Sequence, residues 1–197
     1  MIGSHNSFSY LPPKAWWMRL FGFMGKCQRV NIQDQYEKYD ARLFDIRVRF
    51  DKKEKVYLCH GFANYGYWDT IKEALEWLKT RPEKVSVRVM LETGKPHERE
   101  EGLFYNFCHN LCMSYPEINF FGGMRKFDFK VIYRFENKPK LIDRYSSTTS
   151  LFKSNSKFLR IIDDWIPIYY AKKYNRKNME LYKDTKKYLF IDFVDIR

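Results

Sequence analysis

Two histidines, an arginine and two carboxylates stand where this chain turns or where a strand ends. His5 lies in "GSHNS", among small and polar residues that let a backbone turn and a side chain reach a pocket. Asp45 and Arg47 alternate along "ARLFDIRVRF" (41–50), His60 closes "KVYLCHG" (55–61), and Asp192 sits in "FIDF" within the last ten residues. Two imidazoles and a guanidinium suit phosphate-ester chemistry. One imidazole takes a proton from a nucleophile while the other gives one to the leaving oxygen. A guanidinium holds the phosphate and offsets its developing charge. A carboxylate fixes the tautomer of the first histidine and steadies its cation.

The elements that must position these groups read as alternating strands and helices. Residues 1–6 read as a short strand end. In 41–50, Phe44, Ile46, Val48 and Phe50 share one face, while Leu43, Asp45, Arg47 and Arg49 share the other, which then points to solvent or into a polar pocket. A short strand is expected over 55–61 and others over 85–92, 129–135, 139–145 and 187–196. Pro12 and Pro13 forbid one regular helix over 10–26, but a helix can start after them. Residues 31–39 look helical. The clearest helix is 70–80, with Ile71, Ala74, Leu75 and Leu78 on one stripe, a capping-box pattern at Thr70 and Glu73, and Pro82 beyond its end. A further helix spans 103–112. This alternation predicts an α/β fold with a largely parallel sheet. In such barrels functional side chains gather at the carboxyl ends of strands.

At 197 residues the chain suits one domain, taken here as 1–197, with a sizeable core. A hydrophobic fraction of 45% argues against disorder, and no apolar run approaches the ~20 residues of a spanning helix. The net charge of +12 favours polyanions or an anionic membrane surface. Trp16, Trp17, Phe21 and Phe23 lie among Lys14, Arg19 and Lys26. They read either as a core helix with large anchors or as a membrane-facing rim, where tryptophan is favoured and each basic residue adds ~1 kcal/mol near anionic lipid. Cys27, Cys59, Cys108 and Cys112 do not follow a zinc spacing and read as reduced and mostly buried. His97 and His109 read as incidental. With Met1 two residues before Gly3, no signal peptide is expected, which points to the cytoplasm or to a secreted protein whose leader has been removed.

"GSHNS", then "ARLFDIRVRF", then "CHG" resemble the X-type catalytic domain of phosphatidylinositol-specific phospholipase C, and the bacterial branch is the closer match. The likeness continues through the helix at 70–80, "VMLE" (89–92), "KLIDRYS" (140–146), "IIDDW" (161–165) and "FIDF" (190–193). It implies a TIM-barrel-like parallel barrel. It also implies cleavage of phosphatidylinositol-type lipids to diacylglycerol and a cyclic inositol phosphate, with no cofactor and a monomer at an anionic membrane surface. By resemblance His5 is the general base for the inositol 2-hydroxyl, Asp192 orients it, His60 is the general acid with Asp45 as its carboxylate partner, and Arg47 binds phosphate. Glu92, Arg144, Asp163 and Trp165 would line the head-group pocket.

The departures from that pattern matter. Calcium-dependent relatives carry a carboxylate where Arg47 stands, and a fixed positive charge there points to metal-independent catalysis. Asn6 and Glu92 match the calcium-dependent pattern, and with Asp45 they would make a partial oxygen site. Asn6 replaces the aspartate usual in bacterial enzymes. Asp40 replaces a glycine before its strand, at a point where a left-handed backbone is expected. Only 26 residues separate Trp165 from Asp192, so a strand–helix unit is expected to be missing and the barrel small, distorted or incomplete. Two other readings stand beside the enzyme: a catalytically degraded relative that binds lipid, and a polyanion or nucleic-acid binding protein, for which the sequence shows no recognisable motif.

Overall fold

The computed structural model describes residues 1–93, 98–125, 131–133 and 139–196. His97 and residues 129, 130, 134 and 135 of the expected 129–135 strand lie outside them. The strands are β1 (Ile2–Ser4), β2 (Ala41–Phe50), β3 (Val56–His60), β4 (Ala63–Tyr67), β5 (Ser86–Glu92), β6 (Asn119–Arg125), β7 (Val131–Tyr133), β8 (Leu141–Asp143) and β9 (Tyr188–Ile191). The helices are α1 (Trp16–Leu20), α2 (Ile32–Glu37), α3 (Asp69–Lys79), α4 (Glu98–Ser114), α5 (Lys157–Trp165) and α6 (Pro167–Tyr182).

All nine strands join one sheet in the order β7-β6-β5-β2-β1-β9-β8, and β3 and β4 hang from β2 as an antiparallel hairpin. From β6 to β8 every pairing is parallel, and β7 adds an antiparallel edge. Among the described residues no pairing joins β7 to β8. The result is a TIM-barrel-like α/β sheet. Two helices, α5 and α6, follow one another with no strand between them.

Strand alternation divides the core. Phe44, Ile46 and Val48 of β2 face outward and pack beneath Ile71, Leu75 and Leu78 of α3 and Phe104 and Leu111 of α4. The opposite face puts Leu43 into a smaller interior cluster with Phe121, Tyr188 and Phe190. Phe190 of that cluster meets His5 edge-on, with ring centroids 5.3 Å apart. Asp45, Arg47 and Arg88 lie further along the same strand faces, where apolar filling gives way to charge.

Several boundaries differ from the sequence reading. α3 starts one residue early, with Trp68 at its N-cap and no side-chain cap bond, so the Thr70–Glu73 box does not form. The final strand ends at Ile191, because the chain turns at Asp192 and Phe193 takes φ +47°. β6, written "NFFGGMR", and β4 were not anticipated, nor were α5 and α6. Asp40 adopts the expected left-handed backbone, at φ +58°.

Candidate active site

β1 delivers His5 in the residue after its last, and β9 delivers Asp192 in the same way. His5 N–H continues the parallel ladder by donating to the Ile191 carbonyl at 2.9 Å, which brings the two side chains side by side. A strap at residues 27–28 locks this crossing. Gln28 Nε2 donates to the carbonyls of His5 and Ile191, and its Oε1 accepts from Val194 N–H. From the outside, Asn175 of α6 donates to the carbonyls of Asp192, Phe193 and Ile196.

The His5 ring makes different contacts on its two edges. Nδ1 lies 2.6 Å from Asp192 Oδ1, and Nε2 lies 2.5 Å from a terminal nitrogen of Arg47. A guanidinium can only donate, so Nε2 carries the lone pair and Nδ1 carries the proton, with Asp192 accepting it as the carboxylate. Burial pushes the Asp192 carboxyl well up, and the Cys27 thiol and the Arg47 guanidinium oppose that push without cancelling it. Burial first, and Arg47 next, lower the His5 pKa well below the usual imidazole range. The ring is therefore a neutral imidazole held in one tautomer. Tyr145, two residues beyond β8, stacks on it at 3.9 Å with the planes 5° apart.

Arg47 is the hub. Its Nε donates to Asp45 Oδ2 at 3.0 Å and a terminal nitrogen donates to Glu92 Oε2 at 3.1 Å. Arg88, paired in register with Asp45, donates to Asp45 Oδ1 at 2.6 Å, and Asn6 N–H donates to Oδ2 at 3.0 Å. Burial pushes the Asp45 carboxyl up, but the guanidinium groups of Arg88 and Arg47 outweigh it and hold the acid well below the carboxylate range. Burial acts on Glu92 in the same direction, and Arg47, His60 and the Gly61 N–H pull that acid down to about 2. A guanidinium thus lies between the two carboxylates where an oxygen-ligated cation would need to sit. The Asn6 amide reaches only Cys27 Sγ, at 4.0 Å.

His60, at the end of β3, is half-buried. Its ring meets His5 edge-on with centroids 5.8 Å apart. Nδ1–H donates to the Gly25 carbonyl at 3.0 Å, which leaves Nε2 for proton exchange. Burial lowers its pKa, Glu92 works against that, and Arg47 adds to it. Asp45 is not its hydrogen-bond partner, contrary to the sequence reading. Both oxygens of Asp45 are taken by two arginines and a backbone amide, and the nearer carboxylate is Glu92, which Gly61 N–H grips at 2.7 Å.

His5, Asp45, Arg47, His60, Asp192, Asn6 and Glu92 therefore converge. Arg144 and Asp163 do not join them through any described contact. The Arg144 donors are spent on Tyr182 Oη and on the carbonyls of Asp143 and Thr149. Asp163 is fully buried and accepts from Ser154 Oγ at 2.9 Å. Trp165 is exposed and, with Asp164, forms one wall of a cavity of about 570 Å³ beside His60. The rest of that cavity is apolar, with Trp17, Met18, Phe21, Met24 and Phe62 among its lining residues. Sequence reasoning missed Arg88, Tyr145 and Cys27. A charge on the inward face of "VSVRVML" could have exposed Arg88, but no local pattern marks the other two.

No protein-family model matches the chain, and no curated protein does. Solved structures do. Phosphatidylinositol-specific phospholipase C from Listeria monocytogenes superposes with a TM-score of 0.60 at 14% identity, covering 98% of this chain and 87% of that one. A double mutant of the Staphylococcus aureus enzyme gives 0.61 at 16% identity, with coverages of 98% and 84%. A pentafluoro-phenylalanine form of the S. aureus enzyme gives 0.58 at 15%. The fold is the one these bacterial phospholipases share.

Proposed function

We propose that this chain is a phospholipase C-type phosphodiesterase that cleaves phosphatidylinositol-type lipids by intramolecular transfer. The observation that carries the reading is the position of His60 between two unlike surroundings. On one side lie His5 and Arg47, and on the other lies the apolar cavity walled by Trp17, Phe21, Phe62 and Trp165. A phosphodiester bound at Arg47 would direct its polar alcohol toward His5 and its greasy alcohol into the cavity. That division suits a phospholipid and does not suit a nucleic-acid backbone.

In this mechanism the substrate phosphate takes the guanidinium of Arg47, which releases His5 Nε2. That nitrogen accepts the proton of the inositol 2-hydroxyl, whose oxygen attacks phosphorus. The diacylglycerol oxygen leaves and takes a proton from His60 Nε2, which yields diacylglycerol and a cyclic inositol phosphate. Asp192 keeps the proton of His5 on Nδ1 and balances the imidazolium that forms. Arg47, seated between Asp45 and Glu92, supplies the positive charge that a calcium ion supplies elsewhere, so no metal is required.

Phosphorus NMR of wild-type protein with phosphatidylinositol vesicles and a chelator is expected to show a cyclic inositol phosphate. His5→Ala and His60→Ala, folded by circular dichroism, are each expected to lower kcat by ~10²–10⁴. Absence of product from folded wild-type protein, or full turnover in both variants, rejects the assignment. Vesicle binding without product would instead favour a lipid-binding relative, a reading that the stacked Tyr145 over His5 keeps alive.

A further inference from the structure

Cys27 has no part in that mechanism, yet its sulfur is fully buried within the same group of side chains. The donor atoms of His5, Cys27 and Asp192 all lie within 4.8 Å of one another. The thiol meets the Asp192 carboxyl, and its other contacts are long, 3.8 Å to the Gly25 carbonyl and 4.0 Å to both Asn6 Nδ2 and His60 Nδ1. We propose that His5 Nδ1, Cys27 Sγ and an Asp192 oxygen form a site for a borderline-soft divalent cation of the zinc class, and that filling it switches off the base. The inhibitory consequence rests on the function proposed above, whereas the site does not.

The chemistry of the donors fits. Nitrogen, sulfur and oxygen are the set zinc takes, and three protein ligands with one open position is a common arrangement for it. The site lies on the edge of the His5 ring opposite Arg47. The repulsion that disfavours a cation between Asp45 and Glu92 is therefore weaker here, and Asp45 already offsets the guanidinium. A thiolate and the Asp192 carboxylate together carry the two negative charges a divalent ion needs.

The protons balance as follows. The Cys27 thiol, which burial keeps protonated, gives its proton to solvent as sulfur binds the ion. The proton on His5 Nδ1 moves to Nε2 as Nδ1 binds. Nε2–H then neither accepts from Arg47 nor takes a proton from a hydroxyl, so the base is lost without any change in its net charge.

Cobalt(II) titrated into the folded wild-type chain is the test. The expected result is a thiolate-to-cobalt charge-transfer band that saturates at one equivalent and is displaced by zinc. Cys27→Ser should abolish the band, and Asp192→Asn should weaken cobalt binding by ~10–100-fold or more. Cys112→Ser, which removes the exposed thiol, should keep the band. A wild-type protein without the band, or a band that survives Cys27→Ser, overturns the site. If Cys27→Ser does not fold, the Asp192→Asn titration decides, and unchanged affinity there overturns it too. In the cleavage assay zinc should stop wild-type turnover and a chelator should restore it. Cobalt bound through Cys27 by a protein that never cleaves lipid would reject the function and leave the site standing.

Discussion

Arg47 holds Asp45, Glu92 and His5 at once, and that sharing gives the two histidines their electrostatic character. The ring of His5 faces Arg47, Asp45, Asp192, Cys27 and Tyr145, and the ring of His60 faces Glu92 and Arg47. Both pKa values lie below the usual imidazole range, His5 through burial and then Arg47, and His60 chiefly through burial. In the proposed mechanism the base works when neutral, so activity falls only once pH drops through the lowered His5 value. The acid works when protonated, so activity also falls as pH rises through the lowered His60 value. A kcat/KM profile should therefore peak on the acid side of the ordinary imidazole pKa, and a peak above it would contradict this geometry. At this scale the sequence was informative where a residue type is rare for its place, as with a histidine in "GSHNS" or a charge pair inside an apolar strand. Cys27 and Tyr145 come to His5 from loops, and no spacing in the chain announces such a meeting.

Strands with plain alternation were legible, as β2 and β5 show. β6 was not, because "NFFGGMR" puts two glycines where a strand should have side chains. The structure gives the reason. Gly122 has φ +148°, and a Cβ there would stand 1.8 Å from the Val89 carbonyl oxygen on β5. Here the backbones of β5 and β6 approach as only glycine allows. Gly122→Ala should cost ~3 kcal/mol or more through backbone strain and loss of this pairing. A thermal melt with an unchanged midpoint would refute that account. The missed cap at α3 has a different cause. The chain enters that helix straight from the β3–β4 hairpin, so Trp68 is already helical and Thr70 falls inside.

At the scale of the whole molecule, a basic chain of net charge +12 exposes apolar side chains around one mouth. Trp16 is 74% exposed, Phe62 93% and Trp165 60%, and Trp17 and Trp165 also line the cavity beside His60. The core-helix reading of residues 16–23 does not hold, for α1 has no buried residue. Among the described residues no helix is long and apolar enough to cross a membrane. Sedimentation with anionic vesicles should exceed that with zwitterionic ones and weaken with salt. Replacing Phe62 by Ser should lower the partition by ~10-fold or more, the worth of one buried aromatic side chain. Equal partition of both proteins would remove Phe62 from the contact. The order of strands across the sheet was not legible, since pairing between distant strands is a property that no local pattern encodes.

β1 lies between β2 and β9, and the hydrogen bond from His5 to Asp192 spans 187 positions of chain. Until residues 188–192 are in place, the edge of β1 that faces β9 has no partner. The imidazole has no carboxylate to set its proton in that interval. On the proposed mechanism a chain whose Asp192 turn has not docked is thus chemically silent, and its hazard in that state is the unpaired edge of β1.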